Sequence, residues 1–130
     1  MVKILDANVI IRYLIEDDEK KAGAIESLLK SDEVLILTDV TVSEIIWVLS
    51  SYYENTREEV VEKISTLVQL SSIKCNKKVV LLALSLFQKH NIDWVDAYLA
   101  AYGEENNIDK IYSYDHDLDK VKGVKRLEPK

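Results

Sequence analysis

The chain has 130 residues, 48% of them hydrophobic and 31% charged, a size at which one domain buries roughly two-thirds of its unfolded surface. A net charge of −6, from 23 acidic and 17 basic residues, argues against a protein held to nucleic acid by a broad basic face, and one cysteine, Cys75, with two histidines excludes an internal disulfide and a Cys/His zinc site. Asp6, Asn8 and Arg12 interrupt the first apolar stretch, no run approaches the ~18 apolar residues of a membrane span, and three Gly and a lone Pro129 mark no linker, so one domain over residues 1–130 in a reducing cytoplasm is expected.

Val2 to Leu5 predicts a short strand that stops at Asp6, and Val9, Ile10, Tyr13 and Leu14 then recur at helical spacing. Asp17 and Asp18 are candidate caps for a second helix with an apolar face of Ala22, Ile25, Leu28 and Leu29. A buried strand over Val34–Leu37 follows. Thr41 and Thr56 each stand three residues before a glutamate, Glu44 and Glu59, the capping-box pattern, and so open the third and fourth helices. Their inner faces are Val42, Ile45, Ile46, Leu49 and Tyr52, then Val60, Ile64, Leu67 and Val68.

A fifth helix is expected from about Lys77 to Lys89 on Val80, Ala83, Leu84 and Phe87. The sixth, Asp93 to Asn106, places the small residues Ala97, Ala100 and Ala101 inward, where they permit close packing. Lys110–Tyr114 reads as a strand ending at Asp115, and Val124–Leu127 as an edge strand after Gly123. Strands alternating with helices imply an α/β fold, a three-layer α/β/α sandwich on a mostly parallel sheet, with the first strand and those of Leu35 and Ile111 at its centre.

Ligands of open parallel sheets bind beyond the carboxyl ends of the strands. Asp6 and Asp115 follow predicted strands, and Glu44 and Asp96 fall in the first turns of predicted helices, so these four acids are expected at one edge. Like charges within about 4–6 Å destabilise a fold unless protons or a cation compensate, and Mg²⁺ or Mn²⁺, which keeps waters and phosphate oxygens in its shell, suits phosphodiester chemistry. Plainer roles compete: Glu44 as the capping-box partner of Thr41, Asp96 as a complement to the helix dipole, Asp93 as an N-cap. Asp6 has no capping partner in the sequence. Asp115–Asp119 superficially suggests a calcium loop, but Lys120 replaces the required Gly and Arg126 the required Glu. Asp117 and Asp119 then read as turn and helix-start residues, with Asp117 a reserve ligand. His116 reads as an exposed turn residue and His90 as a partner of the helix dipole.

Four segments together resemble the PIN-domain ribonucleases and, within them, the VapC-type toxins of prokaryotic toxin–antitoxin pairs: Leu5–Ile10, Val42–Leu49, Asp93–Ala101 and Ser113–Leu118. Each motif is weak alone; the ordered set, spread over nearly the whole chain, is specific. The resemblance implies an endoribonuclease with one or two Mg²⁺ or Mn²⁺ ions held by Asp6 and Asp96, Glu44 and Asp115 completing the pocket, and Asn8 and Ser113 in support. It further implies a homodimer and a small antitoxin whose tail covers the pocket. Ala7, Ser113 and Tyr98 depart from the commoner pattern and bear on substrate preference more than on the four acids.

In that reading Glu44 or Asp115 orients or deprotonates the water that attacks the scissile phosphate. A phosphatase with Asp6 as covalent nucleophile would need an Asp where Asn8 stands. A PIN-like module that binds RNA or protein without cutting is the alternative from another class. Trp47, Tyr52 and Tyr53 read as core residues first, and as an apolar partner surface second.

Overall fold

A computed structural model describes residues 2–15 and 18–130, so the capping role expected of Asp17 lies outside the described residues. Two compact units divide the chain at Lys77 and Lys78.

In the first unit, β1 (Val2–Ile4), β2 (Val34–Ile36) and β3 (Ile73–Lys74) form a parallel ladder in the order β1-β2-β3. Its register puts Ile4 opposite Ile36 and Ile36 opposite Lys74. The bonds Leu5 N–H to Ile36 O (2.9 Å) and Leu37 N–H to Lys74 O (2.9 Å) extend it past the last strand residues. The first strand and those of Leu35 and Ile111 were expected at the centre of one sheet; β2 instead pairs with β1 and with β3, a two-residue strand with too little pattern to register in the sequence, and the Ile111 strand pairs with the last strand. Val2 and Ile4 are 66% and 75% exposed on the edge strand β1, and burial begins at Leu5.

Helix α1 (Ala7–Ile15) packs on α2 (Glu19–Leu29) and on α3 (Asp39–Ser51), and α3 on α4 (Arg57–Val68). Asp18 caps α2 as expected, its carboxylate accepting Lys21 N–H at 3.1 Å, but of that helix's predicted apolar face only Leu29 is fully buried. Val42, Ile45, Ile46 and Leu49 of α3, with Val60, Ile64, Leu67 and Val68 of α4, are buried, each large aliphatic side chain stabilising by about 1.5–3 kcal/mol. Tyr52, expected on the inner face of α3, is the C-cap and 76% exposed. Trp47 is 67% exposed and Tyr53 39%, so the core reading of these aromatics fails.

The second unit holds α5 (Lys77–His90) beyond its first residue, α6 (Trp94–Glu105), β4 (Lys110–Tyr112), a 3-10 helix (His116–Lys120) and β5 (Lys125–Leu127). The rings of Phe87 and Trp94 meet edge-on at 6.0 Å, and Ala97, Ala100 and Ala101 of α6 are buried as predicted. Between α6 and β4 the chain doubles back tightly. Asn107 takes φ 58, Ile108 N–H donates to Gly103 O at 2.7 Å, and a Cβ on Gly103 would stand 2.5 Å from the Ile108 carbonyl oxygen, so only glycine fits there. β4 and β5 pair in parallel, Ile111 opposite Arg126. No described helix is long and apolar enough to cross a membrane.

Candidate metal centre

Helix α6 starts where Asp93, with extended φ and ψ of −65 and 154, turns into helical backbone. That is the N-cap position expected of it, yet its carboxylate makes no capping bond. Asp96 stands three residues on, in the first turn. Asp115 follows β4 and opens the 3-10 helix: its Oδ1 accepts Asp117 N–H at 2.9 Å while its own N–H donates to Ser113 Oγ at 2.9 Å. These two bonds fix the loop, and with it the Asp115 carboxylate. One oxygen from each of Asp93, Asp96 and Asp115 lies within 4.8 Å of the others.

Asp96 is the group whose environment departs furthest from water. It is 7% exposed, and its buried Oδ2 has no hydrogen-bond partner, a condition that costs about 1–3 kcal/mol or more for a carboxyl group. Burial first, then a hydrogen bond with Asp115, then the charges of Asp115, Asp93 and Asp117 push the Asp96 pKa up to about 6. Asp115 moves the other way, held below the usual carboxylate range by Asp117 N–H first and by the bond to Asp96 second. The pair thus takes up its first proton on Asp96, which holds it below about pH 6 and carries a charge above. Three carboxylates with no nitrogen or sulfur donor among them, one presenting a buried oxygen without a partner, fit a hard divalent cation.

An arginine that the sequence reading used only to dismiss a calcium loop supports this arrangement. The Arg126 side chain, 12% exposed, donates from Nη1 to the Ser113 carbonyl (2.9 Å) and from Nε to Asp119 Oδ1 (3.1 Å), and also pairs with Glu128. It ties β5 to both ends of the loop that carries Asp115. Asp119 is accordingly a tether and no ligand, and its carboxyl is held low chiefly by Arg126. His116, exposed as expected, has Nδ1 within 3.3 Å of Asp119 Oδ2 and 3.0 Å of Arg126 Nη2. Asp117 pairs with Lys120 at 3.1 Å, a helix-start role as predicted, and reaches Asp96 as a charge. His90 closes α5 in its last turn.

Asp6, Asn8 and Glu44 belong to the first unit. Asp6 is exposed, two residues past the end of β1, and its carbonyl accepts Val9 N–H at 3.2 Å as α1 begins. Asn8 is exposed on α1, in a groove shared with Arg12 and Lys21. Glu44 is not the partner of a capping box. Thr38 caps α3, its Oγ1 accepting Thr41 N–H at 3.2 Å, so the helix begins one turn earlier than Thr41 implied and Glu44 lies in its second turn, exposed.

The PIN-domain family model matches residues 3–124, spanning both units. Among solved structures, the chain is similar to VapBC2 of Rickettsia felis bound to a promoter DNA fragment, with 12% identity, all of both chains covered and a TM-score of 0.43. It is similar to VapC20 of Mycobacterium tuberculosis, a toxin that cleaves the sarcin–ricin loop, with 14% identity, 92% and 93% coverage and a TM-score of 0.41. A toxin–antitoxin complex from Klebsiella pneumoniae matches with 16% identity, 95% of each chain and a TM-score of 0.35. No curated protein matches the chain.

Proposed function

Since this chain belongs to the PIN-domain family, we propose that it is a divalent-metal-dependent endoribonuclease that hydrolyses RNA phosphodiester bonds, acting as one domain over residues 1–130. The observation that carries this reading is the buried, partnerless Asp96 Oδ2 in the cluster with Asp93 and Asp115. Packing gains nothing from such a group, whereas a cation would satisfy it. Asp96 and Asp115 are the holding residues in the second unit, with Asp93 beside them, and Asp6 is their counterpart in the first.

A bound Mg²⁺ or Mn²⁺ would supply Lewis-acid stabilisation of charge on the phosphate and a water of lowered pKa. The residues do the rest. Below about pH 6 Asp96 must give up a proton before it can act as a ligand, so acid opposes loading. Ser113 and Asp117 N–H keep Asp115 oriented through the exchange. Glu44, exposed and released from any cap, or Asp115 orients or deprotonates the attacking water. Asn8 supports Asp6.

The ordered motif set further supports a toxin of a two-component toxin–antitoxin pair, a cytoplasmic homodimer neutralised by a small antitoxin. Trp47 and Tyr52, 67% and 76% exposed, are compatible with a partner surface that removes them from water. The competing reading is a PIN-like module that binds RNA or protein without cutting. The test is cleavage of end-labelled total and transfer RNA by the purified chain in Mn²⁺ or Mg²⁺, beside a chelator control and Asp96→Asn. Metal-dependent cuts absent from the variant are expected; identical traces in every lane would transfer the assignment to the binding module.

A further inference from the structure

The carboxyl edge of the first unit's sheet changes character from strand to strand. At β1 it presents Asp6; at β2, Thr38 and Asp39; at β3, Lys74 and Lys77, both exposed. Ile4, Ile36 and Lys74 stand in one row across the ladder, so Lys74 lies two strand spacings, about 10 Å, from β1, which ends two residues before Asp6. In this acidic chain many cations are neutralised locally: Lys3 by Glu33, Lys30 by Glu26, Lys120 by Asp117, Lys125 by Asp109 and Arg126 by Asp119. Lys74 and Lys77 have no ion pair among the described residues, and the first turn that Lys77 opens contains no acid.

Resting on the ribonuclease reading, we propose that Lys74 and Lys77 bind backbone phosphates of the RNA beside the one being cut, so that the strand crosses the sheet edge from Asp6 toward β3. An acidic protein with a carboxylate-lined centre repels a polyanion over most of its surface. Two cations without ion pairs at the β3 end of the sheet edge that carries Asp6 at its β1 end, a distance that neighbouring phosphates of one strand span, give the substrate a track and a direction. An acidic peptide would meet the same lysines, but it carries no phosphate to deliver to Asp6. The contact is to backbone and carries no base preference.

The test uses the full chain in Mn²⁺ with end-labelled transfer RNA, measuring kcat and KM from low to moderate monovalent salt. Lys74→Ala with Lys77→Ala is expected to raise KM about tenfold at low salt, leave kcat within about twofold, and flatten the salt dependence of KM by roughly 0.7 in log–log slope per lysine lost. The double Arg variant should restore both, and Lys20→Ala on α2 should change neither. Wild-type cleavage with the same KM and salt slope in the double Ala variant overturns the track and leaves the nuclease intact. If wild type does not cut, anisotropy with a labelled oligouridylate and metal-free protein decides separately: binding lost in the double Ala variant upholds the track while the nuclease reading falls. Binding that is absent, unchanged in the variant, or displaced equally well by polyglutamate overturns the track.

Discussion

Helices α4 and α6 both carry an acid at the third helical position, Glu59 in one and Asp96 in the other, and the two acids have opposite fates. Glu59 closes a capping box: its Oε1 accepts Thr56 N–H at 2.8 Å while its own N–H donates to Thr56 Oγ1 at 3.1 Å, and these bonds hold its carboxyl below the usual range. Asp96 sits behind Asp93, which declines the cap, and is buried beside Asp115 with its pKa pushed up to about 6. One acid is spent on the helix start and the other is withheld from it. A site is marked here by a carboxylate that the local fold leaves unsatisfied, not by the number of carboxylates nearby.

The sharpest way to break this contrast is activity. Asp96→Asn keeps the shape and removes the charge, and should lower cleavage on the order of 10²-fold or more, whereas Glu59→Gln should leave kcat/KM within about twofold. Comparable losses in both variants, measured on the same end-labelled RNA, would mean that both helix starts serve the same purpose and that the buried oxygen of Asp96 has no special role.

Stability should respond with the opposite sign. In metal-free protein at pH 7, Asp96→Asn removes a desolvated like charge and is expected to stabilise by about 1–3 kcal/mol, raising Tm by roughly 2–10 °C. Because the folded pKa of Asp96 lies above the ordinary 3.8, its contribution favours the fold in acid and is lost as pH rises through about 6. Carboxyls held low, such as Glu59 and Asp119, contribute in the reverse sense, so the informative quantity is the Tm of the variant minus that of wild type. That gap should be small near pH 4, open through pH 6 and level off above it. A gap independent of pH would remove the Asp96 proton from the account.

Much of this was legible in the sequence, and the exceptions have physical causes. The helices over 57–68, 77–90 and 94–105 followed from apolar periodicity because their buried faces are continuous: Val60, Ile64 and Leu67; Val80, Ala83, Leu84 and Phe87; Ala97, Ala100 and Ala101. β3 escaped notice because two residues carry no alternation, and it exists through its ladder with Leu35 and Ile36. The start of α3 was misplaced because Thr38 and Thr41 are both competent caps three residues apart, and the choice between them depends on where β2 releases the chain. The anchoring role of Arg126 went unread, since a lone arginine in a strand gives no sign that a loop 13 residues away will wrap its guanidinium. The ordered acidic motifs were enough to identify the family, while Asp93, a candidate supporting residue that the sequence read first as an N-cap, is set apart from that role by its unused cap.

A smaller effect separates the two N-cap residues. Thr56→Ala should cost ~1 kcal/mol, the usual value of a closed cap, while Asp93→Ala in metal-free protein should cost clearly less, since no capping bond is lost and a like charge departs from beside Asp96. Urea denaturation of the two variants checks the ranking. Equal costs would mean that Asp93 is an ordinary cap and would withdraw it from the cluster.

The smallest expected change, and the most discriminating for α3, belongs to Glu44. If Thr41 and Glu44 formed a box like that of Thr56 and Glu59, Glu44→Gln would disturb two backbone bonds and lower stability by several tenths of a kcal/mol. With Thr38 as the cap, Glu44 is an exposed second-turn residue, and Gln, which has nearly the same helix propensity, should leave the unfolding free energy within about 0.5 kcal/mol. Cleavage should fall in the same variant, because the proposed role of Glu44 concerns the attacking water. Stability unchanged with activity lost assigns Glu44 to the chemistry; stability lost in step with Thr56→Ala would return it to the helix start. Unchanged activity with unchanged stability would leave water activation to Asp115.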